Sequence, residues 1–405
     1  MVDLTDQQRA VADGGSGKGA AMAMRLVADA AVILGAPRLV PVESAHIDGC
    51  LYHGDGGTEF AETLVAGGAR VRVPATLNIG SLDLLNPAQV RLPPHERKMA
   101  LRLMRAYEHL GCRATWTCAP YQNGHRPGVG AQVAWGESNA VVFVNSVLGA
   151  RTNRYGDYLD IACAIAGAAP DYGLHRTAAR RATIALAVTA PDHVLADDAT
   201  WPALGAILGR RAGSTIAAIN GVTAHATEDR LKALGATAAS VGEVALFHVV
   251  GVTPEAPTLA AACQDAPPET IIPVTEADIL AAMASLSNAP RAAVTAVAIG
   301  SPHCSLGEID ALVTALDGRQ VALPFYVNTS RDVVTALESD GRRAVLDAAG
   351  ITIVADTCIV ATPIIDGDGV LMTNSGKFAH YAPGNINHGV VFAALSDCVA
   401  RAVQP

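Results

Sequence analysis

Three cysteines stand where an apolar or β-branched segment gives way to Pro, Gly and small polar residues. These are Cys118, Cys304 and Cys358. Each follows a predicted strand; the strands are 113–117, 293–299 and 351–355. Because open α/β sheets place ligands at the carboxyl ends of their strands, the three thiols could share one metal site. Cys304 also precedes a predicted helix, whose N-terminal amides favour a thiolate.

The alternative is that these cysteines are small buried hydrophobes, as most cysteines of cytosolic proteins are. Cys163 and Cys398 lie in Ala-rich helical segments and fit that interpretation, as do Cys112 and Cys263. The three cysteines at strand ends fit it less well, but their spacing alone leaves both interpretations open.

The cysteine content favours reduced thiols. Eight cysteines in 405 residues are far below the density of a disulfide scaffold, and none forms a CxxC pair. Three thiolates suit an iron-sulfur cluster because one iron keeps a position for a substrate hydroxyl and carboxylate. That iron can act as a Lewis acid on a leaving hydroxide. Three cysteines serve a two-iron, three-iron or four-iron centre equally well.

The densest polar segment begins at Glu137 and Ser138, which are predicted to cap a helix. Arg151 and Arg154 follow the far end of that helix, with Asn153 between them. Guanidinium groups suit a substrate carboxylate because they donate two parallel hydrogen bonds. The alternative is that both arginines offset the negative end of the helix or are simply solvated.

A second polar segment, 373–384, is predicted as a loop before the last helix. Its Lys377 and His380 could reach a substrate, or Lys377 could be solvated and His380 could support other side chains. His46 and His53 lack the HExxH spacing and the zinc-finger spacing, so we expect no independent zinc site there.

Strand-like and helical segments alternate along nearly the whole chain, which predicts an α/β fold with open, mainly parallel sheets covered by helices. The remaining predicted strands are 38–42, 70–74, 183–188, 243–249 and 320–325. The predicted helices are 17–34, 59–66, 96–110, 227–234, 277–285, 305–316 and 329–338.

The length of the chain predicts two or three lobes. Pro, Asp and Gln interrupt the alternation at 189–201 and 253–273. We therefore place the lobes tentatively at 1–190, 191–270 and 271–405.

The charge and hydropathy patterns exclude two classes of partner. A formal net charge of -9 without a basic cluster opposes binding to nucleic acid. The absence of a signal peptide and of a long uncharged apolar segment predicts a cytoplasmic protein without a membrane partner. Only 17% of residues are charged, so we expect a protein partner to cover part of the surface.

Five ordered motifs resemble the aconitase X family, and the resemblance covers essentially the whole chain. They are Thr117–Tyr121, Trp135–Ser138, Asn145–Asn153, Gly300–Ser305 and Asn374–Pro383. The resemblance implies stacked α/β/α lobes like those of aconitase and dehydration of a small hydroxy acid. It also implies that Cys118, Cys304 and Cys358 hold an iron-sulfur cluster, with a two-iron centre (2Fe-2S) favoured and a three-iron or four-iron centre (3Fe-4S or 4Fe-4S) as alternatives.

The same resemblance maps substrate contacts onto Gly49, Cys50, Leu51, Asn78, Ile79, Glu137 and Ser138. The archaeal branch, which acts on mevalonate 5-phosphate, has a Gly-Val-Ser in place of residues 49–51 and an Asn-Pro in place of residues 78–79. The segment 46–52 is more similar to the bacterial branch. That branch dehydrates cis-3-hydroxy-L-proline to 1-pyrroline-2-carboxylate, which we take as the expected reaction, with mevalonate 5-phosphate as the alternative substrate.

Aconitases also need a small swivelling domain that supplies a catalytic serine, and we expect this chain to lack it. The split form of the family carries that domain as a separate small subunit, so the resemblance implies a heteromeric enzyme.

We expect Arg151 or Arg154 to hold the substrate carboxylate, with Ser138, Asn153 and His380 nearby. The candidates for catalysis are Glu137, Ser138 and Lys377, although the partner's serine is favoured as the base. A non-enzymatic interaction subunit with structural cysteines is the remaining alternative.

Overall fold

The computed structural model describes residues 2–403, which form two compact units. The first unit contains residues 2–82 and 92–181, and the second contains 83–91 and 182–403. The short segment 83–91 thus leaves the first unit and packs with the second.

The first unit combines helices with short strands. Its helices are α1 (Asp6–Ala12), α2 (Lys18–Ile33), α3 (Asp55–Ala66), α4 (Pro94–His109), α5 (Ser138–Ser146) and α6 (Leu159–Ala166). Its strands are β1 (Leu39–Pro41), β2 (Ala45–Ile47), β3 (Ala75–Leu77), β4 (Ala134–Trp135) and β5 (Ala168–Pro170).

A parallel sheet of order β3-β2-β4 forms the centre of the first unit, and β1 pairs with β5 in an antiparallel ribbon. In the parallel sheet His46 stands opposite Thr76 on one side and Trp135 on the other. All three strands run in the same direction, so the segments that follow them lie at one edge.

The second unit contains two parallel sheets. Its helices are α7 (Asp192–Leu195), α8 (Thr200–Ala212), α9 (Glu228–Gly242), α10 (Leu259–Ala262), α11 (Glu276–Ser285), α12 (Leu306–Leu316), α13 (Arg331–Asp340), α14 (Arg342–Ala348), α15 (Gly376–Asn385) and α16 (Leu395–Val403). Its strands are β6 (Ile184–Val188), β7 (Ala217–Asn220), β8 (Phe247–Val249), β9 (Thr270–Val274), β10 (Ala296–Cys304), β11 (Phe325–Thr329), β12 (Ile351–Ala355), β13 (Gly369–Thr373) and β14 (His388–Phe392).

The sheet orders are β8-β7-β6-β9 and β12-β11-β10-β13-β14, with every pairing parallel. The core of the five-stranded sheet is built from aliphatic side chains such as Val327 on β11, Leu312 on α12 and Leu337 on α13. These helices cover the sheet with the spacing of amphipathic helices. The predicted α/β fold with mainly parallel sheets is therefore confirmed.

Helix ends follow local signals in the sequence. Ser305 caps α12 by accepting a hydrogen bond from the Glu308 amide, and the Glu308 carboxylate accepts one from the Ser305 amide. Ser375 caps α15 in the same position, accepting from the Phe378 amide. The predicted loop 373–384 is therefore wrong for most of its length, because α15 begins at Gly376.

The predicted strand 70–74 is also wrong. The amides of Val71 and Arg72 donate to the carbonyls of Leu110 and Ala164 instead of to a neighbouring strand, and β3 begins only after Pro74. Strands β6 and β12 lie where they were predicted. No helix in residues 2–403 is long and apolar enough to cross a membrane.

Candidate active site

The predicted substrate contacts of the first unit lie at the carboxyl edge of its parallel sheet. Residues 48–51 follow β2, residues 78–80 follow β3 and residues 136–138 follow β4. The Asn78 side-chain amide donates a hydrogen bond to Asp48 Oδ1 and so links the first two segments. The structure thus brings Gly49, Cys50, Leu51, Asn78, Ile79, Glu137 and Ser138 to one edge of one sheet.

The loop after β2 is held by a buried carboxyl group, that of Asp160 at the start of α6. Asp160 Oδ2 accepts from the Asp48 amide at 2.6 Å and lies 3.4 Å from the Gly49 amide. Asp160 Oδ1 accepts from the Ile161 amide. Burial raises the pKa of Asp160 to about 8. No feature of the sequence had pointed to this residue.

Two glycines let these segments approach each other. A Cβ at Gly49 would stand 2.8 Å from the Tyr107 hydroxyl, and a Cβ at Gly136 would stand 2.7 Å from Asp160 Oδ2. Both positions therefore need glycine because any side chain would displace a buried neighbour.

Cys50 is fully buried and its thiol serves as a hydrogen-bond donor. Its Sγ lies 3.2 Å from the Asn78 carbonyl oxygen and 3.6 Å from that of Ile79. Burial raises the pKa of the Cys50 thiol well above its usual value. Cys50 therefore joins the loops after β2 and β3 as a neutral thiol.

Glu137 caps α5, as predicted. Its Oε2 accepts from the Ala140 amide at 2.6 Å, and its Oε1 accepts from the Ser138 hydroxyl at 3.1 Å. The N-terminus of α5 stabilises this buried negative charge. The side-chain amide of Asn139, also in α5, donates a hydrogen bond to the Cys118 carbonyl at 3.0 Å. This bond fixes the Cys118 main chain to the same helix.

The two predicted carboxylate-binding arginines differ in their surroundings. Arg151 Nη1 donates to the Thr177 hydroxyl at 2.8 Å, and the Asn153 amide donates to a main-chain carbonyl of segment 172–177 at 2.9 Å. Arg151 and Asn153 thus anchor this segment. Arg154 is exposed, and its side chain has no hydrogen bond or ion pair within residues 2–403.

Cys304 and Cys358 lie at the carboxyl edge of the five-stranded sheet in the second unit, each 3% exposed. Cys304 is the last residue of β10 rather than a residue beyond it, and its carbonyl accepts from the Thr329 hydroxyl at 2.8 Å. Cys358 follows β12, and its Sγ lies 3.9 Å from Ser301 Oγ on β10.

Cys118 belongs to the first unit. The predicted strand 113–117 before it is wrong: only Arg113 pairs, in a single bridge with Thr76, and Trp116 has a φ of 44°. Cys118 nevertheless follows a segment parallel to β3, and its side chain is buried.

A cavity of about 370 Å³ opens beside Cys304 in the second unit. Its polar lining includes Arg230, Lys232, Ser301, Asn374 and Ser375. The volume lies in the range of small-molecule sites. Lys377 and His380 do not line this cavity: Lys377 is partly exposed, and the exposed His380 packs its ring edge against Tyr381.

Lys232 is a site residue that sequence reasoning missed. It is 2% exposed, hydrogen-bonds to Glu308 and lies 3.1 Å from Asp229 and 3.3 Å from the His303 carbonyl. Although burial lowers it, the charges of Glu308 and Asp229 raise the pKa of Lys232 overall. The ammonium group therefore fixes the turn that carries Cys304. The only signal in the sequence is a lysine on the apolar side of a helix.

The chemistry of the cysteines fits an iron-sulfur cluster. All eight cysteines are thiols, as predicted, and Cys118, Cys304 and Cys358 are 3–4% exposed at the carboxyl ends of parallel segments. Within residues 2–403 no three His, Cys, Asp or Glu side chains form a group for a single metal ion. In a three-iron or four-iron cluster each thiolate binds a different iron, so the cluster's ligands lie farther apart than the ligands of one ion.

The fold and the site define an α/β enzyme with its chemistry at the carboxyl edges of parallel sheets. Family models described as the first, second and third domains of aconitase X match residues 1–178, 182–284 and 294–404. The chain belongs to the aconitase X family, which confirms the resemblance.

The chain is 42% identical over 410 residues to the cis-3-hydroxy-L-proline dehydratase of Pseudomonas aeruginosa, covering 99% of this chain and 70% of that one. It is 36% identical to the enzyme of the same name from Hypocrea jecorina, with coverages of 99% and 68%. It is 38% identical to the phosphomevalonate dehydratase large subunit of Methanothermobacter thermautotrophicus, with coverages of 95% and 94%.

Among solved structures, the holo-form of aconitase X from Thermococcus kodakaraensis matches with a TM-score of 0.89 and 31% identity. The match covers 99% of this chain and 100% of that one. The three relatives are named as dehydratases, which are hydro-lyases.

Proposed function

We propose that this chain is the large subunit of a hydro-lyase that dehydrates cis-3-hydroxy-L-proline to 1-pyrroline-2-carboxylate. The observation that carries the proposal is the 42% identity, over 99% of the chain, to a cis-3-hydroxy-L-proline dehydratase. The segments after β2 and β3 support it, because their sequences differ from those of the archaeal branch, whose substrate carries a phosphate.

The proposed cofactor is an iron-sulfur cluster held by Cys118, Cys304 and Cys358, with a two-iron centre favoured. When bound, such a centre supplies an open iron position that polarises the leaving hydroxyl of the substrate. The chemistry of the three buried thiols supports this assignment.

The proposed carboxylate-binding residue is Arg154 rather than Arg151. Arg151 already anchors the segment 172–177, whereas the exposed guanidinium of Arg154 can turn both its donors to a carboxylate. Asn153 is an anchor of the same segment and supports Arg154 through the main chain. Ser138 remains a candidate contact at the start of α5.

Glu137 is the proposed acid–base group of this chain. Its carboxylate lies at the sheet edge where the substrate contacts meet, and its charge is stabilised by the amides of α5. A serine of the small subunit is favoured for removal of the α proton. Lys377, the second residue of α15, is the alternative base.

The proposed partner is a small subunit with the swivelling domain. The support is a match that covers 94% of a relative named as a large subunit, since that name implies a second chain. We place the assembled enzyme in the cytoplasm, where thiols remain reduced.

The test is an assay of the complex, co-expressed and purified without oxygen, on cis-3-hydroxy-L-proline and on mevalonate 5-phosphate. We expect turnover of the first substrate, followed by formation of the cyclic imine. Turnover of mevalonate 5-phosphate alone would replace the proposed substrate by the alternative. An anaerobic complex with no bound iron and no turnover of either would favour an interaction subunit.

A further inference from the structure

The side chains of Asp48 and Asn78 form a pair at the sheet edge of the first unit. The Asn78 side-chain amide donates to Asp48 Oδ1. Because an ionised carboxylate only accepts hydrogen bonds, this bond identifies the other atom of the Asn78 amide as the oxygen. That oxygen, Asn78 Oδ1, is buried and has no hydrogen-bond partner within residues 2–403. A buried acceptor of this kind is unfavourable unless a donor meets it, so the pair suits a ligand that donates hydrogen bonds.

Both residues are fixed by their main chains. Asp160 Oδ2 accepts from the Asp48 amide at 2.6 Å, and the Asn78 main-chain amide donates to the Ile47 carbonyl at 2.9 Å. The Cys50 thiol holds the Asn78 carbonyl, with Sγ 3.2 Å from the oxygen. The pair is therefore in place before a ligand binds, which lowers the entropy cost of binding. Asp48 is partly exposed, whereas Asn78 is 3% exposed, so a ligand approaches the pair at Asp48.

The charge at this sheet edge is negative. Segments 48–51, 78–80 and 136–138 contain two carboxylates, those of Asp48 and Glu137, and neither Lys nor Arg. A carboxylate attracts a cation and repels an anion at short distance. The loop after β2 therefore suits a positively charged donor better than a phosphate.

Gly136 brings Asp48 close to the main chain that follows Arg154. A Cβ at Gly136 would stand 3.0 Å from Asp48 Cβ and 3.1 Å from the Tyr155 carbonyl oxygen. Tyr155 directly follows Arg154, the proposed carboxylate-binding residue. An α-amino acid carries its nitrogen and its carboxylate on the same carbon, so the partners of these two groups must be neighbours. The close approach at Gly136 allows Asp48 and Arg154 to act as such neighbours.

We propose that Asp48 binds the secondary ammonium group of the substrate and so determines the specificity for a cyclic amino acid. This role rests on the proposed dehydration of cis-3-hydroxy-L-proline, whose charged ring nitrogen carries two N–H donors. One N–H donates to the Asp48 carboxylate in a charge-assisted hydrogen bond. The second N–H provides the donor for Asn78 Oδ1; that atom is covered, so the contact needs a small side-chain movement. Mevalonate 5-phosphate carries no nitrogen, so Asp48 separates the two substrates.

The direct test measures binding without turnover, by isothermal titration calorimetry of the co-expressed, anaerobically purified complex. The two ligands are L-proline and cyclopentanecarboxylate, which share the ring and the carboxylate but differ in the ring nitrogen. We expect the wild-type complex to bind L-proline about 10- to 100-fold more tightly, the contribution of a charged hydrogen bond. Equal affinities, or no binding of L-proline, would overturn the proposal, and this outcome depends on no variant.

Asp48→Asn removes the charge and keeps an acceptor for the Asn78 side-chain amide. It should abolish the preference for L-proline and leave both the affinity for cyclopentanecarboxylate and the visible absorption of the cluster unchanged. Asp29→Asn, which removes an exposed charge of the same unit, should keep the preference. An unchanged preference in Asp48→Asn would overturn the proposal. So would an equal loss of affinity for both ligands, because it would show a distorted loop instead of a lost ammonium contact.

Turnover separates the ammonium contact from the proposed function. In Asp48→Asn, KM for cis-3-hydroxy-L-proline should rise about 10- to 100-fold, with a smaller change in kcat. A lower kcat with an unchanged KM would contradict a binding role for Asp48. A complex that prefers L-proline through Asp48 but dehydrates neither cis-3-hydroxy-L-proline nor mevalonate 5-phosphate would uphold the ammonium contact and count against the proposed function.

Discussion

Asp160 shows how one buried residue shapes the site. Its carboxyl group accepts hydrogen bonds from the amides of the loop after β2, and it is fully buried. Burial raises the pKa of Asp160 to about 8 from an ordinary value near 3.8. The folded protein therefore holds a proton on Asp160 at pH values where the unfolded chain has released it.

The pH dependence of stability follows from this difference. The stabilisation that the Asp160 proton provides is complete below about pH 4 and is lost as pH rises through about 8. The slope is at most about 1.4 kcal/mol per pH unit. Asp160→Asn, which cannot ionise, should flatten this decline in urea unfolding between pH 5 and 8.5. The exposed Asp29→Asn is the control, and an equal slope in wild type and Asp160→Asn would contradict the assignment.

The two arginines at the end of α5 should respond differently to truncation. Arg154→Ala removes only the proposed carboxylate donor, so we expect KM to rise about 10- to 100-fold, the loss of a charged hydrogen bond. The melting temperature and the cluster spectrum of Arg154→Ala should equal those of the wild-type complex.

Arg151→Ala is the matched variant. It removes the anchor of segment 172–177, so its melting temperature should fall. A higher KM in Arg151→Ala, with Arg154→Ala unaffected, would return the carboxylate to Arg151.

At the scale of elements, the turn between β10 and α12 is held from α9. Lys232 on α9 reaches Glu308 in the first turn of α12 and the His303 carbonyl on β10. Glu308 also caps α12 through the Ser305 amide. This ion pair, with a buried Lys232 and a partly exposed Glu308, thus fixes the backbone that carries Cys304.

Breaking this pair should be costly because it leaves the partly buried Glu308 carboxylate without its partner. Lys232→Met should lower the free energy of unfolding by about 1–3 kcal/mol in denaturant titrations. The double variant Lys232→Met/Glu308→Gln, which neutralises both partners and keeps the cap, should recover most of the loss. A double variant as unstable as the single one would show that Lys232 acts by packing alone.

The sequence predicted helices better than strands, and local physics explains the difference. Helices α2, α11 and α12 were placed within one or two residues because caps and apolar spacing mark their ends. Short strands such as β2 and β13 have no local sequence signal for their ends, because they are stabilised by pairing with other segments of the chain.

At the scale of the whole molecule, four of the five family motifs lie where strands or segments parallel to them end, in both units, whereas the motif Asn145–Asn153 lies at the end of α5. The predicted strands placed Cys304 and Cys358 at strand ends. The two residues lie at the same edge because β10 and β12 belong to one parallel sheet. Sequence reasoning could not find Asp160 or Lys232. Their roles depend on burial and on contacts with segments far away in the chain.

The roles of Cys118, Cys304 and Cys358 are tested most directly by iron and sulfide analysis with absorption and EPR spectra. The samples are the anaerobically purified complex and its single Cys→Ser variants. We expect each of the three variants to lose most of its iron and its visible absorption. Cys398→Ser, in the apolar core of the second unit, should keep both. Wild-type iron content in all three variants would contradict a cluster held by these cysteines.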